Sequence, residues 1–557
     1  MIIKAISQLL KNRKINNEDL PNKPSVFRNY PFIVLAIVLC FSLISGASNG
    51  STSTVNFDKK IRVGLKQMYE TVDSIQITNS SLVLGYPIDG NPQVEHVFNS
   101  STGFSIVPAT QYFLISKEHY ESYDECEAKV KMLSEQGNKA YVGSATQGIW
   151  KVYIGDATSE AEAISLKDTL QSNIGGTYEV VGDNGLRTLL KVGKEKEIVI
   201  ENSNIHSSFS TNELTKGIAV INLGNRAYRG SMEVGRYNKK GVTAINVIGL
   251  EEYLYGVVPS EIVSSWPKES LKAQAVAARS FTVYTTTTSN KYPNEAYMLC
   301  DTSISQVYKG FTGETATCNA AIDETFNQVL YYDNKVIPAY YFSASGGHTE
   351  DSQNVWSGTV AYLKGVPDLY ETQPASQPWI QAMSANEIET SLSKYNINIG
   401  RIVDVQVTAY SDAGRAMSLN VIGTAGSHQL SKETMRSWLG LKSRKFTLVK
   451  STDTPPQAFS AIGLGGTKES NKANAYTING DMQTSPLKMS NNQMIIVSET
   501  NLHSVPTISG QSDTFIFVGQ GNGHGVGLSQ SGAKGMAQAG FTYKQILEYY
   551  FTGAVVK

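Results

Sequence analysis

Three stretches of the chain combine side chains that can move protons or hold sugar oxygens with backbone able to approach a ligand. The first is LEEYLYGVVPSEIV, followed by LKAQAVAARSF. In it Glu261 follows Val257-Val258-Pro259-Ser260 and precedes Ile262-Val263. A carboxyl with apolar neighbours at the entrance to a helix is costly to ionise if buried, so its pKa rises. Such an acid can protonate a leaving oxygen near neutral pH, as glycosidic cleavage requires. The same residue also reads as a capping or solvated glutamate. Gln274 and Arg279 follow on an alanine-rich helix, where long polar side chains must find partners or face a cleft. Arg279 can hold a carboxylate or sugar oxygens, or pair with Glu251 or Glu252.

The second stretch is YYFSASGGHTED, residues 340–351. An aromatic strand runs into a turn that exposes the hydroxyls of Ser343 and Ser345, and aromatic faces beside donors suit carbohydrate recognition. A plain strand and turn is the other reading. CDTSISQVYKG, residues 300–310, adds Gln306 and Tyr308 as candidate sugar contacts. The third stretch, GQGNGHGVGLSQSGAKGMA, packs glycines around His524 and continues through Gln530 into a helix. Glycine lets backbone approach a ligand closely, although a structural loop with one hydrogen-bonded histidine has the same look.

Other chemistries find no support. The chain has no H-E-x-x-H, no G-x-S-x-G and no G-x-x-x-x-G-K-[ST],. The glycine-rich loop fails G-x-G-x-x-G and follows no βαβ unit, so a nucleotide site is not expected. With 48 basic and 49 acidic residues, the chain lacks the electrostatic pull of a nucleic-acid binder.

The elements that must position these residues follow from length and pattern. At 557 residues the chain is too long for one simple core, and roughly three folded units are expected. The fold class is α+β: a strand-rich region, a small βαββαβ unit and an N-terminal membrane-targeting helix. Residues 1–30 form a basic tail and 31–47 an uncharged apolar segment. The latter reads as a signal-anchor, or as a signal peptide cleaved near Ala47. The tail stays cytoplasmic and the bulk faces outward. Leu39 before Cys40 argues against lipidation. Residues 48–60 read as a linker.

Strands are expected at 61–65 and 81–86, within a first segment 61–107. From 108 to 192 the order β-α-β-β-α-β is expected. The region 196–557 begins strand-rich, then turns helical at LEEYLYGVV. A helix over 267–287 is expected to carry an apolar stripe of Leu271, Ala275, Ala278 and Phe281. Strands are expected within 328–343, 360–365 and 401–409, a loop or inserted excursion at 450–475, and one or two helices at the C-terminus. Of Cys126, Cys300 and Cys318, the last two can form a bridge or stay free thiols.

The unit 108–192 resembles the SPOR domain in element order and in the run KVYIGDATSEAEAISLKDTLQ. That resemblance implies binding to peptidoglycan glycan strands stripped of stem peptides; a ferredoxin-like spacer is the alternative. LEEYLYGVVPSEI, LKAQAVAARSF, QVYKG, FSASGGHTE and GNGHGVGLSQSGAKGMAQAG, in this order over about 245–555, resemble the SpoIID/LytB family, with IRVGL resembling the domain's first strand. The SPOR-like unit is then an insertion.

The second resemblance implies a lytic transglycosylase of sporulation or wall remodelling. Glu261 in its P-x-E segment would be the acid and base, and a 1,6-anhydro-N-acetylmuramic end the product. The implied alternative is a non-catalytic enhancer of a wall amidase. Implied partners are glycan strands, the membrane, an amidase or other engulfment proteins. Some clostridial members bind zinc through a cysteine/histidine cluster starting near the position of Cys300. Here CDTSISQVY lacks the His-Cys pair, so no metal or other cofactor is expected.

Overall fold

The computed structural model describes residues 57–450 and 514–557 except 89–90, 195, 203–206, 238, 290, 372–374 and 376. Between 458 and 505 it describes only the backbone of short strands. The basic tail, the apolar segment 31–47 with Cys40, and most of the 48–60 linker lie outside the described residues. Among the described residues, no helix is long and apolar enough to cross a membrane.

Alternating apolar residues place Ile61–Gly64 in a seven-stranded sheet, where Ile61 lies opposite Ile248 of the antiparallel strand Thr243–Ile248. The first strand thus joins elements far along the chain. On its other side it pairs in parallel with Leu299–Cys300, the start of the CDTSISQVY run.

Residues 112–181 have the expected order of strand, helix, two strands, helix and strand. Ser122 and Ser159 start the two helices by accepting from the N–H groups of Glu125 and Glu162,. Both helices contribute to the core beside Trp150, Val152 and Ile154. In the sheet the last strand, Tyr178–Val181, lies beside Tyr112–Ser116, then Ile149–Ala157, then Ala140–Thr146. The opposite face carries Phe113, Tyr141 and Tyr153, buried with Leu189 and Val199. Arg187 lies over two of those rings and pairs with Glu201. Both faces of this sheet are therefore covered. Its edge also continues: Lys196–Ile200 pairs in parallel with Ala140–Thr146, extending the sheet to ten strands.

The helix Lys268–Thr287 is the centre of the remaining fold. Leu271, Ala275, Ala278 and Phe281 pack into one core as expected. Ala273, Val276 and Ala277 pack into a second core with the C-terminal helices. A helix buried on opposite faces needs small side chains to admit close neighbours, which accounts for its alanines.

A third core lies between Trp379 and Phe517. Its strand Thr514–Gly519 runs antiparallel between Trp379–Ser384 and Phe446–Lys450. A three-stranded meander, Ile402–Tyr410, Ala416–Gly423 and Gly426–Ser431, and the helices Ala385–Ser393 and Glu433–Leu439 complete it. One expectation fails here. Residues 360–365 turn rather than extend, with the Leu363 N–H bonded to the Val360 carbonyl. The 450–475 stretch contains an antiparallel hairpin, Ala458–Gly463 with Gly466–Asn471.

The C-terminal helices Gln530–Gln538 and Tyr543–Tyr550 are in the expected places. The first seats its glycines against neighbouring groups. A Cβ on Gly535 would stand 1.7 Å from the Tyr370 carbonyl oxygen. Gly535→Ala is expected to destabilise the fold by about 1–3 kcal/mol through overpacking, measured as a lower urea midpoint with an unchanged slope.

Candidate active site

Glu261 is the last residue of the helix Leu250–Glu261, not the first of the next one. Pro259 is tolerated in the final turn, and the chain leaves through Ile262 in extended conformation,. That exit turns the carboxyl into a cleft of about 590 Å³ lined by Phe281, Tyr340, Tyr341, Phe342 and Trp356 among others. Oε1 accepts the Val307 N–H at 2.6 Å, and the Tyr341 hydroxyl favours the ionised carboxyl. Burial pushes the carboxyl pKa up, and the Val307 N–H, the Tyr341 hydroxyl and the Lys309 charge offset part of the rise. The group is thus poised to hold a proton and steadied when it loses one.

Gln306 explains the orientation of Tyr341. Its Nε2 donates to the Tyr341 hydroxyl at 3.1 Å and to the Ala278 carbonyl at 3.3 Å. Its Oε1 accepts from Thr282 at 2.8 Å and from Tyr253 at 3.3 Å. A phenol that accepts from an amide has its one proton left to give, and it favours the ionised form of Glu261. Gln306 is buried and acts behind Tyr341, not as a direct sugar contact.

Gln530 donates through Nε2 to the Glu261 carbonyl at 3.1 Å and to Gln274 Oε1 at 3.2 Å. It lines the cleft and fixes the end of the Glu261 helix. Gln274 sits behind it, fully buried. Ser343 is exposed and lines the cleft, while its carbonyl accepts from the Ser531 hydroxyl at 2.7 Å.

His524 is wedged between Phe342 and Trp356, with centroid separations of 5.4 and 5.3 Å. Its Nδ1 accepts the Val526 N–H at 3.1 Å. Burial brings its pKa down to about 4, so at neutral pH it is an uncharged aromatic wall of the cleft.

Three expected sugar contacts stand elsewhere. Arg279 is wholly buried and makes a forked pair with Glu251, at 2.7 and 2.6 Å. Tyr308 is buried against Tyr253 and donates to Asn246 Oδ1 at 2.7 Å. Ser345 is buried and gives its N–H to Glu371 at 2.6 Å. The glycines near His524 also differ from expectation, because protein rather than ligand approaches them. Gly525, at φ +90°, would place a Cβ 2.6 Å from the Arg415 guanidinium carbon,.

Cys300 and Cys318 are free and buried. Cys300 faces the hydroxyls of Tyr292 and Thr302, at 3.1 and 3.2 Å. Among the described residues, no three His, Cys, Asp or Glu side chains are grouped as a metal would require, so this surround does not fit zinc.

Pattern reading missed Tyr341, Lys291 and Arg436, which all line the cleft. Tyr341 lay inside a stretch already singled out, but its partners come from separate segments. The parallel pairing of Tyr341–Phe342 with Leu528–Ser529 brings the second and third stretches together.

Known proteins match part of this region. The family description "Stage II sporulation protein" matches 238–332, and a domain of unknown function (DUF8618) matches 351–466. An uncharacterized protein of Brachyspira hyodysenteriae is 30% identical over 327 residues, covering 58% of this chain and 71% of that one. The chain belongs to the SpoIID/LytB family. The amidase enhancer of Bacillus subtilis is 29% identical over 54% of this chain and 40% of its own length. Stage II sporulation protein D of the same organism is 26% identical over 56% and 76%. Glu261, Gln274 and Gln306 fall within the sporulation-protein match, whereas Arg436 falls within the domain of unknown function.

Proposed function

We propose that this protein cuts peptidoglycan glycan strands, preferring strands stripped of peptide, as a lytic transglycosylase with Glu261 as acid and base. The observation that carries the reading is a carboxyl raised in pKa by burial, in an aromatic cleft, with the Val307 N–H donating to it. Glu261 gives its proton to the glycosidic oxygen as the bond from that oxygen to C1 of N-acetylmuramic acid breaks. The resulting carboxylate takes the proton of the same sugar's C6 hydroxyl as that oxygen bonds to C1. A 1,6-anhydro end forms, the acid is restored and no water is consumed. Hydrolysis by paired carboxylates needs a second acid, and among the described residues lining the cleft Glu261 is the sole carboxylate. Relatives named for sporulation and amidase enhancement support a setting in the cell wall.

The test is digestion of purified peptidoglycan, with and without prior amidase treatment, followed by mass spectrometry. Wild type should release anhydro ends and Glu261→Gln should not. The mutant releasing the same products sinks the assignment.

Tyr341→Phe should lower the rate about tenfold, the worth of one hydrogen bond to a charged group. The Tyr341 hydroxyl holds the Glu261 pKa down, so its loss raises that pKa further. The alkaline limb of the pH–rate profile, which follows loss of the Glu261 proton, should move to higher pH.

A second reading is favoured by the relative named amidase enhancer: the cleft holds glycan while a separate amidase acts. Stimulation of a purified amidase by Glu261→Gln as strong as by wild type, with no anhydro products from either, selects it. Anchoring through 31–47 with the bulk facing the wall, and glycan binding by the βαββαβ unit, complete the proposal. Fractionation of cells expressing the chain with and without residues 1–47 tests the anchor. Pull-down of the chain lacking 108–192 by amidase-treated peptidoglycan tests the second site.

A further inference from the structure

The charges of the cleft are unequal. Its lining holds one carboxyl, Glu261, and two cations, Lys291 and Arg436. Arg436 comes from the helix Glu433–Leu439 of the third core. Its Nε donates to Glu433 Oε2 at 2.6 Å, and the other Glu433 oxygen accepts from the buried Arg444 at 3.0 Å. One carboxylate is thus shared between two guanidiniums, which leaves positive charge over at the cleft wall. The Arg436 side chain is 31% exposed, and Nε carries its one ion pair among the described residues. Lys291 bonds the Ile304 carbonyl and makes no ion pair among the described residues. Burial of Glu261 favours its uncharged form, so the cleft presents net positive charge to a ligand.

In a glycan strand of N-acetylglucosamine and N-acetylmuramic acid, the ionisable group is the lactyl carboxyl. A stem peptide converts it into an uncharged amide, and removal of the peptide frees it as a carboxylate. Resting on the reading of the cleft as a glycan site, we propose that Arg436, assisted by Lys291, binds the free lactyl carboxylate of a peptide-stripped muramic acid. The third core thereby reads whether the stem has been removed. A guanidinium fork matches a carboxylate with two parallel hydrogen bonds and does not match a neutral amide in this way.

The test changes the ligand as well as the protein. Peptide-stripped strands are prepared with an amidase, and half are amidated with carbodiimide and ammonia to neutralise the lactyl carboxylates. Binding of both to the full-length Glu261→Gln protein is measured calorimetrically, free of turnover. Amidation should weaken binding about tenfold, as expected for one charge-assisted pair. Adding Arg436→Gln should weaken carboxylate strands to the same level and leave amidated strands unchanged. Arg436→Lys should keep part of the discrimination.

Equal binding of the two strands to the Arg436 protein overturns the proposal, as does a mutant that still discriminates fully. If the Arg436 variants fail to fold, the amidated strand still decides, since it leaves the protein untouched. Absence of anhydro ends with wild type removes the transglycosylase reading but not this one. Binding of neither strand removes the glycan site and this inference together.

Discussion

Glu261→Gln is expected to lower anhydro-end formation by about 10³-fold, the loss typical when a positioned acid and base is removed, and to raise the melting temperature at neutral pH. The second effect follows from the same burial. The folded-state pKa of Glu261 lies above its ordinary value of 4.5, so the folded protein holds this proton more tightly than the unfolded chain. Wild-type stability therefore falls as pH rises from 4.5 through the folded pKa, and stays lowered above it. Glutamine has no proton to lose, and its Oε1 can still accept the Val307 N–H. The gain in melting temperature should be full above the raised pKa and vanish below pH 4.5. A mutant that melts below wild type at neutral pH contradicts the burial argument. A mutant that keeps making anhydro ends contradicts the catalytic one.

How much of this was legible depended on whether the cause was local. The βαββαβ order over 112–181 was readable because caps such as Ser122 and Ser159 and the apolar periods lie within each element. The oddity of Glu261 was readable too, since its apolar flanks adjoin it in sequence. Its donors were not: the Val307 N–H comes from 46 residues further on, and Tyr341 meets Gln306 from another segment. Even the end of the Glu261 helix was misplaced, because a proline in a last turn looks in sequence like a break,. Serines near glycines suggested exposed hydroxyls, yet Ser345 is buried by a contact with Glu371 that no spacing announces. Arg436 gave no signal, because its position at the cleft depends on how the third core folds.

The glycine-rich loop shows why residue type alone misleads. Glycine means only that something comes close. Beside His524 that something is Arg415, Phe342 and the Tyr340 carbonyl, so the loop is packed into the fold while its histidine ring forms the cleft wall. Conversely, the alanines of Lys268–Thr287 reported correctly that backbone approaches backbone, and the polar residues among them are where helices are locked together. Gln274 meets Gln530 there, and Arg279 meets Glu251.

Arg279→Ala is expected to destabilise the protein by about 3–5 kcal/mol, the cost of breaking a buried ion pair from one side. The guanidinium holds Glu251 of the preceding helix by two bonds. It also donates to the carbonyls of Ile322 and Gln328, at 3.2 and 3.1 Å, and to Thr325 Oγ1 at 3.4 Å. Alanine would leave the largely buried Glu251 and these carbonyls short of donors. Lysine keeps the charge but not the fork, so Arg279→Lys should recover only part of the loss. The double change Arg279→Met with Glu251→Leu should be far milder than either single change, since it removes both charges together. Urea unfolding of wild type and these variants reads these differences. A surface sugar contact predicts the reverse: Arg279→Ala with unchanged stability, weakened glycan binding and no coupling to Glu251.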